Sequence, residues 1–521
     1  MVDFVVVGAG SAGCVLAARL SEDPNVDVVL LEAGRAKLPR EVGIPAAFSK
    51  LFRSDVDWNY DTEPEEHLAG RTVYWPRGRM LGGSSSLNAM MAIPGHTADY
   101  DGWAALGVPG WSWNDVAPYF EQVHETLGVE ELRDPNPLTH AFVEAAQQAG
   151  IAPSPALAPT ALEGVRLTPV TQRRGRRNSA VDAYLKPAER RPNLTIRTDA
   201  HVTRVVFEGR RAVGVEVDGD VVRAREVVLC GGAVNSPQLL LLSGVGPAAE
   251  LERHGIPLVH ELPGVGSHLE DHLSGGILVE SHRPVTLYAA EKPKQVLRYL
   301  VSRRGMLTSN VAEAAAFVRT RPDLTAPDLE LLFAPVLFEE EGLAPPRGHG
   351  FTVGAVLLQP RSSGAVRLRS SDPFDTPMIE PRYLSYPDDL QVLVRGIDLA
   401  RRIVSMPAFD GIAGAELEPG ETPLEDAIRE RAQTLYHPVG TCRMGTDALA
   451  VVDPELRVRG VEGLRVVDAS VIPRVPRGHT HLPTLMIAER AAEFVRATTP
   501  SRVRSSSVRA APASAGRHSS T

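Results

Sequence analysis

The chain has 521 residues, which at about 150 residues per domain allows two or three domains around a large buried core. Hydrophobic residues make up 43% and charged residues 23%, values that exclude collagen-like and disordered chains, and no apolar run reaches the roughly 18 residues needed to span a bilayer. Acidic side chains outnumber basic ones, 64 against 55, for a net charge of -9, which argues against nucleic acid and for a small-molecule ligand.

Asp3 to Val7 reads as a buried strand, Gly8-Ala9-Gly10-Ser11-Ala12-Gly13 as a tight turn into a helix running to Leu20, and Asp27 to Leu31 as the next strand. The first strand follows Met1 within two residues, leaving no room for a charged leader and cleavage site, so a cytoplasmic location is expected. The cysteines Cys14, Cys230 and Cys442 are far apart and lack C-x-x-C spacing, so neither a disulfide framework nor a zinc site is indicated. Residues 35–95 are turn-rich and read as long connecting structure.

Leu194 to Val228 reads as antiparallel hairpins with turns at Glu208-Gly209 and Asp218-Gly219, followed by a parallel-type strand from Glu226 to Cys230. Residues 273–430 mix strands and helices, include an acidic patch at Glu339-Glu340-Glu341, and are expected to form a second domain. A strand at Leu464 to Val467 and an amphipathic helix from Thr484 complete the first domain, which comprises residues 1–272 and 431–497. Residues 498–521 hold Ser, Ala, Pro and four arginines with no acid, a disorder signature; this tail is expected to be dispensable for folding and turnover.

The first glycine cluster carries chemistry. Gly8 permits the tight turn, Gly10 lets backbone approach a pyrophosphate, Gly13 lets helix pack on strand, and Glu32, 19 residues beyond Gly13, can accept hydrogen bonds from a ribose. Strand, turn, helix and acid at this spacing predict a dinucleotide site without choosing between nicotinamide and flavin.

That choice comes from further motifs. They are Arg77-Gly78-Arg79-Met80-Leu81-Gly82-Gly83-Ser84-Ser85-Ser86-Leu87-Asn88, Gly231-Gly232-Ala233-Val234-Asn235-Ser236-Pro237, Leu262-Pro263-Gly264-Val265-Gly266, Tyr436-His437-Pro438-Val439-Gly440-Thr441 and Val467-Asp468-Ala469-Ser470. With the N-terminal fingerprint they cover all but the tail, and in them the chain resembles the glucose-methanol-choline (GMC) flavoprotein oxidoreductases, bacterial dehydrogenases in particular. The resemblance implies an α/β (α+β) fold: a Rossmann-like FAD-binding domain with a substrate domain built on a mainly antiparallel sheet. It also implies elongated FAD, with Gly8, Gly10, Ser11, Ala12, Gly13, Glu32 and Ala33 at its pyrophosphate and ribose and Val202 at its adenine. Gly82, Gly83 and Asn88 would lie along the flavin and Asp468 and Ala469 at the pyrophosphate and ribityl chain, with Arg79, Leu81, Met90, Pro483 and Thr484 as further contacts. Some relatives link flavin through a histidine just before the asparagine of the glycine loop. Here that residue is Leu87, so non-covalent FAD is expected.

The resemblance makes His437 the active-site base and, counting back from Leu485-Met486-Ile487, His481 its polar partner. His479, two residues earlier, could share a metal with His481, but no carboxylate or cysteine pattern accompanies them and no metal is expected. Glu313 has a counterpart near substrate in choline-oxidising relatives, although a solvated helix glutamate is the plainer reading. The 28 aromatic residues show no cluster marking a cage for choline's quaternary ammonium. The expected reaction is FAD-dependent oxidation of an alcohol to an aldehyde or ketone by a dehydrogenase, with oxygen, a quinone or a redox carrier as acceptor. The alternatives are an oxygen-using oxidase, a non-redox hydroxynitrile lyase and a flavin-containing binding or electron-transfer protein.

Overall fold

The computed structural model describes residues 1–497, so the tail of the sequence reading lies outside the described residues. Two seven-stranded sheets organise the chain. The first is parallel at its centre, in the order Leu194–Arg197, Val28–Leu31, Val2–Val7, Asp220–Leu229 and Leu464–Val466. Its strands are nearly continuous apolar runs because both faces are covered, the pattern of a doubly wound sheet. Asp220–Leu229 does two jobs. Its C-terminal half pairs in parallel with Val2–Val7, while its N-terminal half continues antiparallel hairpins with Arg211–Val217 and, beyond it, Val202–Glu208.

The second sheet is antiparallel, in the order Ala413–Glu418, Leu273–Ser281, Gly350–Leu357, Leu329–Ala334, Ala314–Val318 and Gly164–Leu167, with Gln433–Thr434 also paired to Leu273–Ser281. Its edge strand at 164–167 and the short pairing at 433–434 come from segments that sequence had grouped with the first domain. The helix Pro387–Val404 packs on this sheet, and Gly396 permits the approach: a Cβ there would stand 2.7 Å from that of Ala355. Each sheet has its own apolar core.

The α/β architecture is as expected, with boundary differences that have local causes. The last helix starts at His481, three residues before Thr484, because Pro483 falls in the first helical turn, where a missing N–H costs nothing. No helix of the described residues is long and apolar enough to cross a membrane.

Candidate active site

Between the two sheets runs one cavity of about 1090 Å³. One end lies at the turn after the first strand. Gly8 has φ +98°, and a Cβ on it would lie 2.6 Å from the Cys230 carbonyl oxygen; a Cβ on Gly13 would lie 1.9 Å from that of Gly8. Both positions are closed to other residues by backbone. Gly10 differs, since its Cβ would meet only Cys230 O at 3.8 Å and would project into the cavity. No side chain caps the helix Ser11–Leu20 that follows, which leaves its first N–H groups and positive dipole end for an anion. The cradle fits a dinucleotide pyrophosphate.

Glu32 ties this turn to the next strand, accepting from the backbone N–H of Ala9 (2.9 Å) with one oxygen and of Gly34 (2.8 Å) with the other. Burial raises its carboxyl to about 7 against those two N–H groups. The glycine loop closes over the same turn: Gly82 N–H donates to Ala9 O at 2.7 Å, and a Cβ on Gly83 would come 2.8 Å from Gly10 Cα. Asn88 Oδ1 accepts from Met90 N–H (3.1 Å) and from the buried Arg177 guanidinium (2.7 Å). Asp468 caps the short helix Ala469–Val471 through Ser470 N–H (2.8 Å) and accepts from Gly232 N–H (2.9 Å) and Ser236 Oγ (2.6 Å), so it is an anchor between loops as well as a cavity wall.

Of the cofactor residues expected from sequence, Gly8, Gly10, Ser11, Ala12, Glu32, Ala33, Gly83, Asn88, Met90, Val202, Asp468, Ala469 and Thr484 line the cavity. Gly13, Arg79, Leu81, Gly82 and Pro483 are not among its lining residues. Trp58 and His201, unassigned from sequence, line the Val202 end with their rings 5.7 Å apart.

At the other end His437 and His479 line the cavity, and the buried His272 stands against His437, three histidines from three separated segments. His437 Nδ1 lies 3.0 Å from His272 Nδ1, and the His437 and His479 ring centroids are 4.7 Å apart. The tautomers follow from what each partner can do. His272 Nε2 faces the Leu358 carbonyl at 3.1 Å, which only accepts, so Nε2 carries the proton. Burial, and then the charge His479 can carry, lower His272 to about 3, keeping it neutral with a lone pair on Nδ1. His437 therefore donates from Nδ1, and its own lone pair is on Nε2. Burial first, then His479 and His272, push His437 well below its ordinary 6.5. Asp271 holds the same residue by its backbone, accepting from His437 N–H at 2.7 Å while Tyr383 and Thr434 hydroxyls donate to its second oxygen. His479 Nε2 donates to Glu330 Oε1 at 3.1 Å; Glu330 is fully buried and its other oxygen has no partner.

His481, expected beside His437, has a different neighbour. That residue opens the last helix and turns to Ser11 Oγ (3.1 Å), on the dinucleotide side, where burial and the nearby Arg177 lower it to about 4. The extended alternation that would align residues two apart ends at the bend at Thr480, so His479 alone faces His437. Among the described residues no group of three or more His, Cys, Asp or Glu is placed to hold a metal. Glu313 is neither a solvated helix residue nor part of the cavity wall. It is 1% exposed, precedes a strand, and accepts from Asn136 N–H and Thr139 Oγ1, both 2.6 Å, at the start of the helix Pro137–Gln148.

His272, Asp271 and Glu330 were missed in the sequence. A signal existed for the first two: an Asp-His pair entering a buried strand, five and six residues after the last glycine of the Pro-Gly-Val-Gly motif. Glu330, a single acid within an apolar strand, gave the same signal more faintly.

The family models for GMC oxidoreductases match residues 2–274 and 360–488. An uncharacterized GMC-type oxidoreductase of Mycobacterium tuberculosis is 50% identical over 95% of this chain and 99% of its own, and an alcohol dehydrogenase [acceptor] of Pseudomonas putida is 42% identical over 95% and 96%. The crystal structure of pyridoxine 4-oxidase from Mesorbium loti superposes with a TM-score of 0.88 at 33% identity, covering 96% of this chain and all of that one. With glycine cradle, histidine cluster and both family models in agreement along its length, the chain belongs to the GMC oxidoreductases and is an oxidoreductase enzyme.

Proposed function

We propose that the protein is an FAD-dependent alcohol dehydrogenase that oxidises a CH–OH group to a carbonyl, with non-covalently held FAD. The observation that carries this reading is the lone pair that the His272 contact leaves on His437 Nε2, in the same cavity that the glycine cradle lines. The Gly8–Gly13 turn would hold the pyrophosphate, Glu32 the ribose, and the glycine loop the flavin ring, where Leu87 offers no nucleophile for a covalent link. When bound, FAD supplies the two-electron acceptor for the carbinol carbon.

The remaining work belongs to side chains. His437 Nε2 takes the hydroxyl proton, and neutrality in the resting state suits it to that task. His479, steadied by Glu330, positions the hydroxyl from the other side. This role passes from His481, whose contact with Ser11 fits it to the cofactor instead. The electron acceptor would be oxygen, a quinone or a redox carrier.

Anaerobic mixing with a panel of alcohols tests the reading. Flavin absorbance should bleach with at least one of them, and His437→Ala should slow bleaching by roughly 10²–10⁴ with flavin content unchanged. Absence of reduction by any alcohol, with cleavage of a cyanohydrin, would make the protein a lyase.

A further inference from the structure

The helix Pro293–Ser302 has an apolar face on each side. Its inner face, with Val296 and Tyr299, packs against Leu307, Ala334 and Phe338, and Tyr299 OH donates to Gly43 O at 2.9 Å. Ala334 and Phe338 also line the cavity, so this helix backs the apolar wall of the substrate end. Its outer face carries Leu297 and, one turn on, Leu300 and Val301, exposed by 62%, 60% and 79%. Apolar residues exposed together on one helical face are uncommon on a soluble surface and mark an interaction site.

Charge identifies the occupant. Residues 291–304 hold five basic side chains, Lys292, Lys294, Arg298, Arg303 and Arg304, against one acid, Glu291, in a chain whose net charge is -9. Glu291 is itself paired with Lys50, and Arg298 and Arg304 share Asp134 while keeping about half of their side chains exposed. Exposed apolar side chains on one helical face within a stretch rich in cations are the composition of a helix lying in the headgroup region of an anionic bilayer. A two-fold dimer through the same face would set two cationic clusters against each other.

We propose that this helix is a docking surface for an anionic phospholipid bilayer, holding the cavity wall formed by Ala334 and Phe338 beside the membrane. The proposal does not rest on the reaction assigned above, because docking is read without turnover.

Co-sedimentation of the full-length holoenzyme with phosphatidylcholine vesicles, with and without phosphatidylglycerol, tests it. The protein should pellet with the anionic vesicles, less so at high salt, and stay in solution with phosphatidylcholine alone. Leu300→Glu with Val301→Glu should weaken pelleting at least tenfold, and Lys292→Glu with Lys294→Glu should remove most of the anionic preference, both with an unchanged flavin spectrum. If the first pair disturbs folding, the lysine pair decides. Wild-type protein that ignores both vesicle types overturns the proposal. So does equal pelleting of wild type and both variants, which would place adsorption elsewhere, such as the arginines of residues 498–521. A dimer that Leu300→Glu with Val301→Glu dissolves would give the face to a second copy and overturn it too.

Discussion

His479 and His481 are two residues apart and have separate surroundings, which separates their expected phenotypes. His479→Ala should slow flavin reduction more than His481→Asn does, because only His479 faces His437; stopped-flow reduction of flavin-replete variants measures this, and the reverse order would return the positioning role to His481. His272→Leu should leave flavin in place but cost roughly tenfold to a hundredfold in reduction rate, because an unpartnered His437 Nδ1–H no longer selects the tautomer with a free Nε2. The pH profile tells this from mere loosening: the acidic limb should move toward the ordinary histidine range once the ring can rotate and take up protons. Motif spacing singled out His437 in the sequence, and the structure sets it against His272 and His479. Which of the two histidines His479 and His481 stands against His437 was not legible in the sequence, because a bend and an early helix start change the direction of side chains that alternate in a straight chain.

Among the elements, the glycine turns were the most legible, since a turn that admits no Cβ can be written with only one residue type. Gly13 and Gly10 should nevertheless fail differently. Gly13→Ala drives a Cβ into the Gly8 carbonyl and should lower the melting temperature of the protein even without flavin, whereas Gly10→Val meets open cavity and should give a folded apoprotein that no longer retains FAD. Melting curves and flavin-to-protein ratios for the two variants check the contrast. Least legible were the strands of the second sheet. Ala314–Val318 and Leu329–Ala334 read as apolar runs of no particular topology, and nothing local to Gly164–Leu167 says that its partner lies some 150 residues onward.

For the molecule as a whole, burial of titratable groups sets an acid limit. A histidine held neutral in the folded state is protonated more readily when the chain unfolds, so stability is lost as pH falls below the ordinary 6.5, and the loss grows until the folded value is reached. For His481, lowered to about 4, this amounts to about 2 kcal/mol between pH 7 and pH 5. Glu32, raised to about 7, and Asp271, raised to about 6, act in the opposite sense, since rising pH ionises them first in the unfolded chain. The histidine contribution is therefore read by difference: the melting temperature of His481→Asn should fall less than that of wild type on going from pH 7 to pH 5.

The edge strand Gly164–Leu167 has a consequence for anyone who would graft new specificity onto this enzyme. The sheet behind the substrate end is stitched from three stretches of chain, so exchanging residues 273–430 with a relative would carry away most of a sheet and leave its outer strand and the 433–434 pairing behind in a foreign register. A chimera that also transplants 164–167 and 433–434 keeps those hydrogen-bonded seams native, and its soluble yield should exceed that of the simple swap.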